Sequence, residues 1–108
     1  KKIQDSKFLF QKNIVFNPKN AKSYLYLAKI YKSEENQIKE LKNLNTTLLL
    51  EPKNEEAMQM LIEIELKKSN YSKVKKLIKN FKVICVELCE KNTQFDKKLK
   101  NIEPKNDS

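Results

Sequence analysis

Residues 17–31 read NPKNAKSYLYLAKIY and residues 51–65 read EPKNEEAMQMLIEIE, so Pro-Lys-Asn recurs at an interval of 34 positions. Each copy precedes a run free of proline and glycine. Proline disfavours helical backbone at the residue before it, so Pro18 and Pro52 each end one segment as the next begins. Asn20 and Asn54 are placed to cap the following runs by accepting a first-turn amide. Glu55 and Glu56 then fall where the helix dipole favours negative charge.

Working outward, Tyr24, Leu27, Ala28 and Tyr31 recur at offsets of three and four. That spacing makes one helical face and predicts a helix over about 21–32. Ile38, Leu41, Leu44 and Leu48 predict a second over about 35–49, stopped at Glu51-Pro52. Ala57, Met58, Leu61, Ile62 and Glu65, with Ile64 beside them, predict a third over about 55–67. Lys68-Ser69-Asn70 reads as a short turn. The apolar positions Val74, Leu77, Ile78, Phe81, Ile84, Cys85 and Leu88 follow without a breaker. They predict one long helix over about 71–91. Thr93 and Asp96 resemble a capping box for a last helix over about 94–102, whose apolar face is Phe95, Leu99 and Ile102. Upstream, Phe8, Leu9, Ile14, Val15 and Phe16 read as the later part of a helix, with a strand over NIVFN as the alternative. Residues 104–108 read as a frayed tail. The expected fold is all-α: helix hairpins stacked in a single domain over 1–103.

The chain of 108 residues fits one domain. It has no glycine and no histidine, and every one of its 23 basic residues is lysine. The net charge of +9 favours solubility and acidic partners. Asparagine is also abundant, so part of the lysine excess is compositional bias. No apolar run is long enough for a transmembrane segment. The N-terminus, KKIQDSKFLF, has neither a starting Met nor a signal-peptide layout, so a fragment or processed product is expected. The compartment is poorly bounded, and the cytoplasm is the working assignment. Asn45-Thr46-Thr47 and Asn70-Tyr71-Ser72 match the glycosylation pattern, as chance allows in so asparagine-rich a chain.

Paired helices at a period of 34 form a solenoid pattern, because a lone pair cannot bury its own apolar face. The anchor residues resemble the tetratricopeptide repeat. In that family a large residue sits at the fourth position of the first helix, a Leu at the seventh, a small residue at the eighth and an aromatic at the eleventh. A repeat over 21–52 starting at Ala21 supplies Tyr24, Leu27, Ala28 and Tyr31, and closes at Pro52. Its second helix departs from the pattern: Glu40 stands where Ala is usual, and Thr47 where a small Ala packs. The next repeat, over 55–91, keeps Met58 and Leu61 but has Ile62 for the small residue and Glu65 for the aromatic. It recovers Tyr71, Val74 and Ile78, places bulky Phe81 where Ala is usual, and has Val86 in place of the closing Pro. Residues 1–17 resemble the second half of an earlier repeat, with Phe10 as its aromatic, and the helix over 94–102 would cap the stack.

The resemblance implies a noncatalytic module that binds a peptide or protein on the face lined by the first helix of each pair. Lys22, Leu25, Tyr26, Lys29, Gln59, Met60 and Glu63 are the expected protein-binding residues, with Lys32, Glu56 and Lys67 nearby. One branch of the family clamps a peptide C-terminal carboxylate with a Lys at the fifth position of one helix and an Asn at the ninth, and an Asn at the sixth of the partner repeat. Here Leu25, Lys29 and Met60 occupy those positions, so the clamp is absent. Self-association or packing in a larger assembly would instead cover apolar residues near the ends: Phe8, Phe95 and Leu99.

Lys73, Lys75, Lys76, Lys79 and Lys82 form a basic stripe, the alternative anion-binding site for nucleic acid or an anionic surface. Lysine meets phosphate as a point charge. Base reading would favour Arg or stacked aromatics, so nucleic acid is disfavoured as a partner. Cys85 and Cys89 lack the further ligands that zinc needs, and a bridge between them inside a regular helix has poor geometry. Core or semi-buried thiols are therefore expected. Without histidine or glycine there is no general-base His and no Gly-rich phosphate loop. No catalysis, cofactor or metal is expected.

Overall fold

The computed structural model describes residues 2–105. It contains six helices: α1 (Lys2–Phe16), α2 (Ala21–Ser33), α3 (Gln37–Leu50), α4 (Glu55–Lys67), α5 (Tyr71–Ile84) and α6 (Lys91–Asn101). No strand occurs among the described residues. The whole of α1 is helical, which excludes the strand reading of residues 13–17. Consecutive helices pack on one another from α1 to α6, and α4 also touches α6. The molecule is elongated, 55 × 27 × 20 Å with a radius of gyration of 15.3 Å. A compact chain of this length would measure roughly 13 Å. The part of the C-terminal tail beyond Lys105 lies outside the described residues.

The 34-residue interval reappears in the local geometry. Asn20 accepts the Lys22 amide and Asn54 the Ala57 amide, so both asparagines cap as expected. Glu35 and Ser69, also 34 apart, adopt left-handed backbone with φ of 57° and 54°. In each turn the following asparagine reaches back into the helix: the Asn36 amide donates to the Tyr31 carbonyl at 2.9 Å and the Asn70 amide to that of Glu65 at 3.1 Å. The Glu35 and Ser69 amides donate to Lys32 and Leu66 at 3.0 Å each. These paired bonds satisfy carbonyls at the end of α2 and of α4, and the left-handed residue swings the chain into the next helix. Because Glu35 sits in the turn, α3 begins two residues later than expected, with Asn36 as its cap.

Two apolar clusters hold the helices. Leu25 and Ala28 of α2, Leu44 of α3, and Ala57, Met60 and Ile64 of α4 form one. Ala28 and Ala57 are fully buried, and their small side chains leave room for α3 to pack against both α2 and α4. The second joins Met58, Leu61 and Ile62 of α4 to Val74, Ile78 and Phe81 of α5 and Phe95 of α6. Each large side chain withdrawn from water there is worth about 2–3 kcal/mol. Phe81 meets Phe95 edge to face, with ring centroids 5.3 Å apart.

Several expectations are corrected. The long helix over 71–91 ends at Ile84, where Cys85 turns to extended backbone. Cys85 and Cys89 are joined in a disulfide. The objection to a bridge within a helix does not apply, because residues 85–90 are not helical. Glu55 holds this connection by accepting the amides of Val86, Glu87 and Leu88. The last helix starts at Lys91, so Thr93 lies inside it and caps nothing; Asp96 pairs with Lys82 at 3.0 Å. Ile38 leaves the expected stripe of α3 and is 84% exposed, whereas Glu40, Leu44 and Thr47 are buried. Thr47 satisfies its hydroxyl on the Asn43 carbonyl at 2.8 Å. Phe95, expected at an exposed end, is fully buried, and Leu99 packs partly buried against the same cluster.

Candidate functional site

Helices α2 and α4 lie side by side through their shared apolar cluster, and two ion pairs join their outer edges. Lys29 pairs with Glu56, and Lys32 with Glu63 at 3.6 Å. Tyr26 is 42% exposed and stacks on Phe10 of α1 at 5.0 Å between centroids. The Lys29 ammonium lies over the Tyr26 ring, 5.2 Å from its centre. An aromatic surface, a cation and a carboxylate thus run from α1 across α2 to α4. Being exposed, the ion pairs contribute little stability and leave their groups free to exchange partners.

The expected protein-binding residues divide into three groups. Tyr26, Lys29 and Glu63 sit on this surface, tied to neighbouring side chains. Lys22 is exposed and Gln59 half-buried, the latter beside Glu55 and Glu56 in a shallow hollow. Leu25 and Met60 are buried among the α2–α4 cluster, so neither presents a free apolar side chain on the outer surface. Leu25 is a packing residue. Met60 also forms part of the wall of a cavity.

That cavity, about 410 Å³, lies where α2, α3, α4 and α6 converge. Met60, Ile64, Leu66 and Ile102 form its apolar walls; Lys32, Glu40, Glu63, Lys67, Lys98 and Asn101 supply the polar groups. Glu40 is the unusual member. It is 5% exposed, yet none of the five ion pairs among the described residues includes it. Burial raises its carboxyl above the usual range, Lys32 and Lys67 pull it back down, and Glu63 pushes it further up. The residue as a whole is covered, but its carboxylate oxygens open on the cavity, and the volume in front of them is where a direct partner would sit.

Sequence reading did not place Glu40, Lys98, Asn101 or Ile102 in a site, although it set Ile102 on the apolar face of the last helix. A signal for Glu40 was present: it shares one helical face with Leu44 and Thr47, at offsets of four and seven. Nothing local marks Lys98 and Asn101, which reach the cavity beside Ile102 only because the chain breaks after α5 and turns α6 back onto α4.

The basic stripe is partly consumed. Lys73 pairs with the buried Glu65 at 3.3 Å, Lys82 with Asp96, and Lys75 lies over the Tyr71 ring at 5.9 Å. Lys76 and Lys79 are exposed and enter no ion pair among the described residues. Among those residues no helix is long and apolar enough to cross a membrane, and no group of three or more His, Cys, Asp or Glu is placed to hold a metal. Comparison of the chain with protein-family models, curated proteins and solved structures finds no match.

Proposed function

We propose that the chain is a noncatalytic protein-binding module of tetratricopeptide type, an α-solenoid whose α2–α4–α6 face takes a peptide or a segment of a partner protein. The observation that carries this reading is the cavity on that face, with apolar walls and charged groups of both signs around them. Such a lining gives contact area and register together. The recurrence of caps and left-handed turns at 34 residues supports the repeat architecture. Tyr26, Lys29 and Gln59 would extend the surface beyond the cavity.

The test is a pull-down from native lysate with and without nuclease treatment, comparing the wild type with Tyr26→Ala/Gln59→Lys. Neither position is in the core, so the variant should stay folded, as circular dichroism would check. A partner lost in the variant supports the face. Recovery only of nuclease-sensitive material would overturn the proposal in favour of Lys76 and Lys79.

A second reading, packing within a larger assembly, is favoured by α1. This helix has no buried residue and leaves Phe8, Leu9, Val15 and Phe16 between 62% and 76% exposed. A row of apolar side chains of that kind suits a covering helix or chain. Sedimentation of wild type beside Phe8→Glu/Val15→Glu tests it: association that disappears in the variant supports this reading.

A further inference from the structure

The cavity carries an unbalanced set of charges. Lys32 and Glu63 offset each other. Glu40 at the wall, and Lys67 and Lys98 around it, take part in no ion pair among the described residues. The inner group, Glu40, is therefore an anion that opens on the cavity, and the exposed groups near it, Lys67 and Lys98, are cations. A purely acidic ligand would satisfy the lysines and repel Glu40. A purely basic ligand would satisfy Glu40 and meet Lys67 and Lys98. The walls between them are aliphatic, formed by Met60, Ile64, Leu66 and Ile102. They suit a side chain that is apolar along its stem and cationic only at its tip.

We infer that the cavity is a subsite for a single arginine or lysine side chain of a partner peptide, flanked in that peptide by acidic residues. The stem lies against the apolar walls, the cationic head pairs with Glu40, and the flanking carboxylates meet Lys67 and Lys98. Arginine fits better than lysine, because its planar fork can engage a carboxylate through two bonds. This inference rests on the peptide-binding reading above and adds a charge pattern to it.

The probe is the synthetic peptide acetyl-Ala-Asp-Arg-Asp-Ala-amide, compared with the same peptide carrying norleucine in place of arginine. Binding is followed by amide chemical shifts of the isotope-labelled chain, with amides near Lys32, Glu40, Glu63, Lys67 and Lys98 as reporters. The expected result is saturable shifts at these positions with the arginine peptide. Affinity should fall at least about tenfold with norleucine or with Glu40→Gln, which keeps the side-chain shape and removes its charge. Lys67→Gln/Lys98→Gln should weaken binding less and flatten its dependence on salt. Equal binding of the two peptides, or an unchanged affinity in Glu40→Gln, overturns the arginine subsite while leaving the peptide face standing. Absence of shifts with either peptide overturns the subsite, and the face itself then stands or falls on the lysate experiment with Tyr26→Ala/Gln59→Lys.

Discussion

Glu55 and Leu88 lie 33 positions apart, and the Glu55 carboxylate accepts the Leu88 amide at 3.0 Å. The same side chain takes the amides of Val86 at 2.7 Å and Glu87 at 3.1 Å. One carboxylate at the start of α4 therefore replaces the helical bonding that residues 86–88 give up. It fixes the connection that carries α6 onto α4.

These amides favour the charged form, so the Glu55 carboxyl lies below its ordinary value, with the Leu88 bond the largest cause. A lowered folded value means stability that is present above the unfolded value and lost as pH falls through the folded one. Thermal unfolding between about pH 2 and pH 5 should show this loss in the wild type. Glu55→Gln should flatten that part of the profile and lower the melting temperature at neutral pH. An unaltered profile would remove Glu55 from its anchoring role.

Glu40 has the opposite sign. Its folded value is raised, chiefly by burial, so stability falls as pH rises from the unfolded to the folded value. Lys32 of α2, Glu63 and Lys67 of α4, and Lys98 of α6 face the same cavity. Glu40→Gln should stabilise the chain at neutral pH, since it removes a charge that burial disfavours. Urea titrations at neutral and mildly acidic pH measure this. The gain should shrink in acid, where the wild-type group is already protonated.

The Cys85–Cys89 bridge closes a short loop next to the end of α5. Cross-linking so few residues restricts the unfolded chain by about 2 kcal/mol on the chain-entropy account. Cys85→Ser/Cys89→Ser should lower the urea midpoint by up to that amount. Far-UV dichroism should not lose helix, because Ile84, Cys85 and Leu88 continue the apolar pattern of α5.

Phe95 is the anchor of α6, buried against Phe81. Phe95→Ala should cost about 3–5 kcal/mol. The first sign should be accelerated hydrogen exchange across α6, ahead of α2 and α3, because α6 packs chiefly on α5 and, more narrowly, on α4. Equal acceleration throughout would mean that the helices unfold as one unit.

Glu35 and Ser69 hold left-handed backbone in a chain without glycine. A side chain in that conformation costs about 1–2 kcal/mol, which glycine avoids. Glu35→Gly and Ser69→Gly should each raise stability by about 0.5–1 kcal/mol, read from the urea midpoint. A loss in either case would show that the turn owes more to its side chain than to its backbone.

Local signals were enough for the all-helical class and for most of its boundaries. Proline, a capping asparagine and offsets of three and four act within a single turn of chain, so they can be read without knowing any neighbour. Asn20, Asn54, Ala28, Ala57 and the face of α4 behave accordingly. What sequence alone could not decide was the choice between an apolar pattern that continues and a chain that stops. The pattern runs through Cys85 and Leu88, yet α5 ends at Ile84, because a distant carboxylate and a covalent bridge compensate the broken helix. That break also placed Phe95 in the core and closed the cavity around Glu40. Periodicity tells which side of a helix faces inward. Which helix it then meets, and whether a buried charge finds a partner there, is settled only when separate segments pack together.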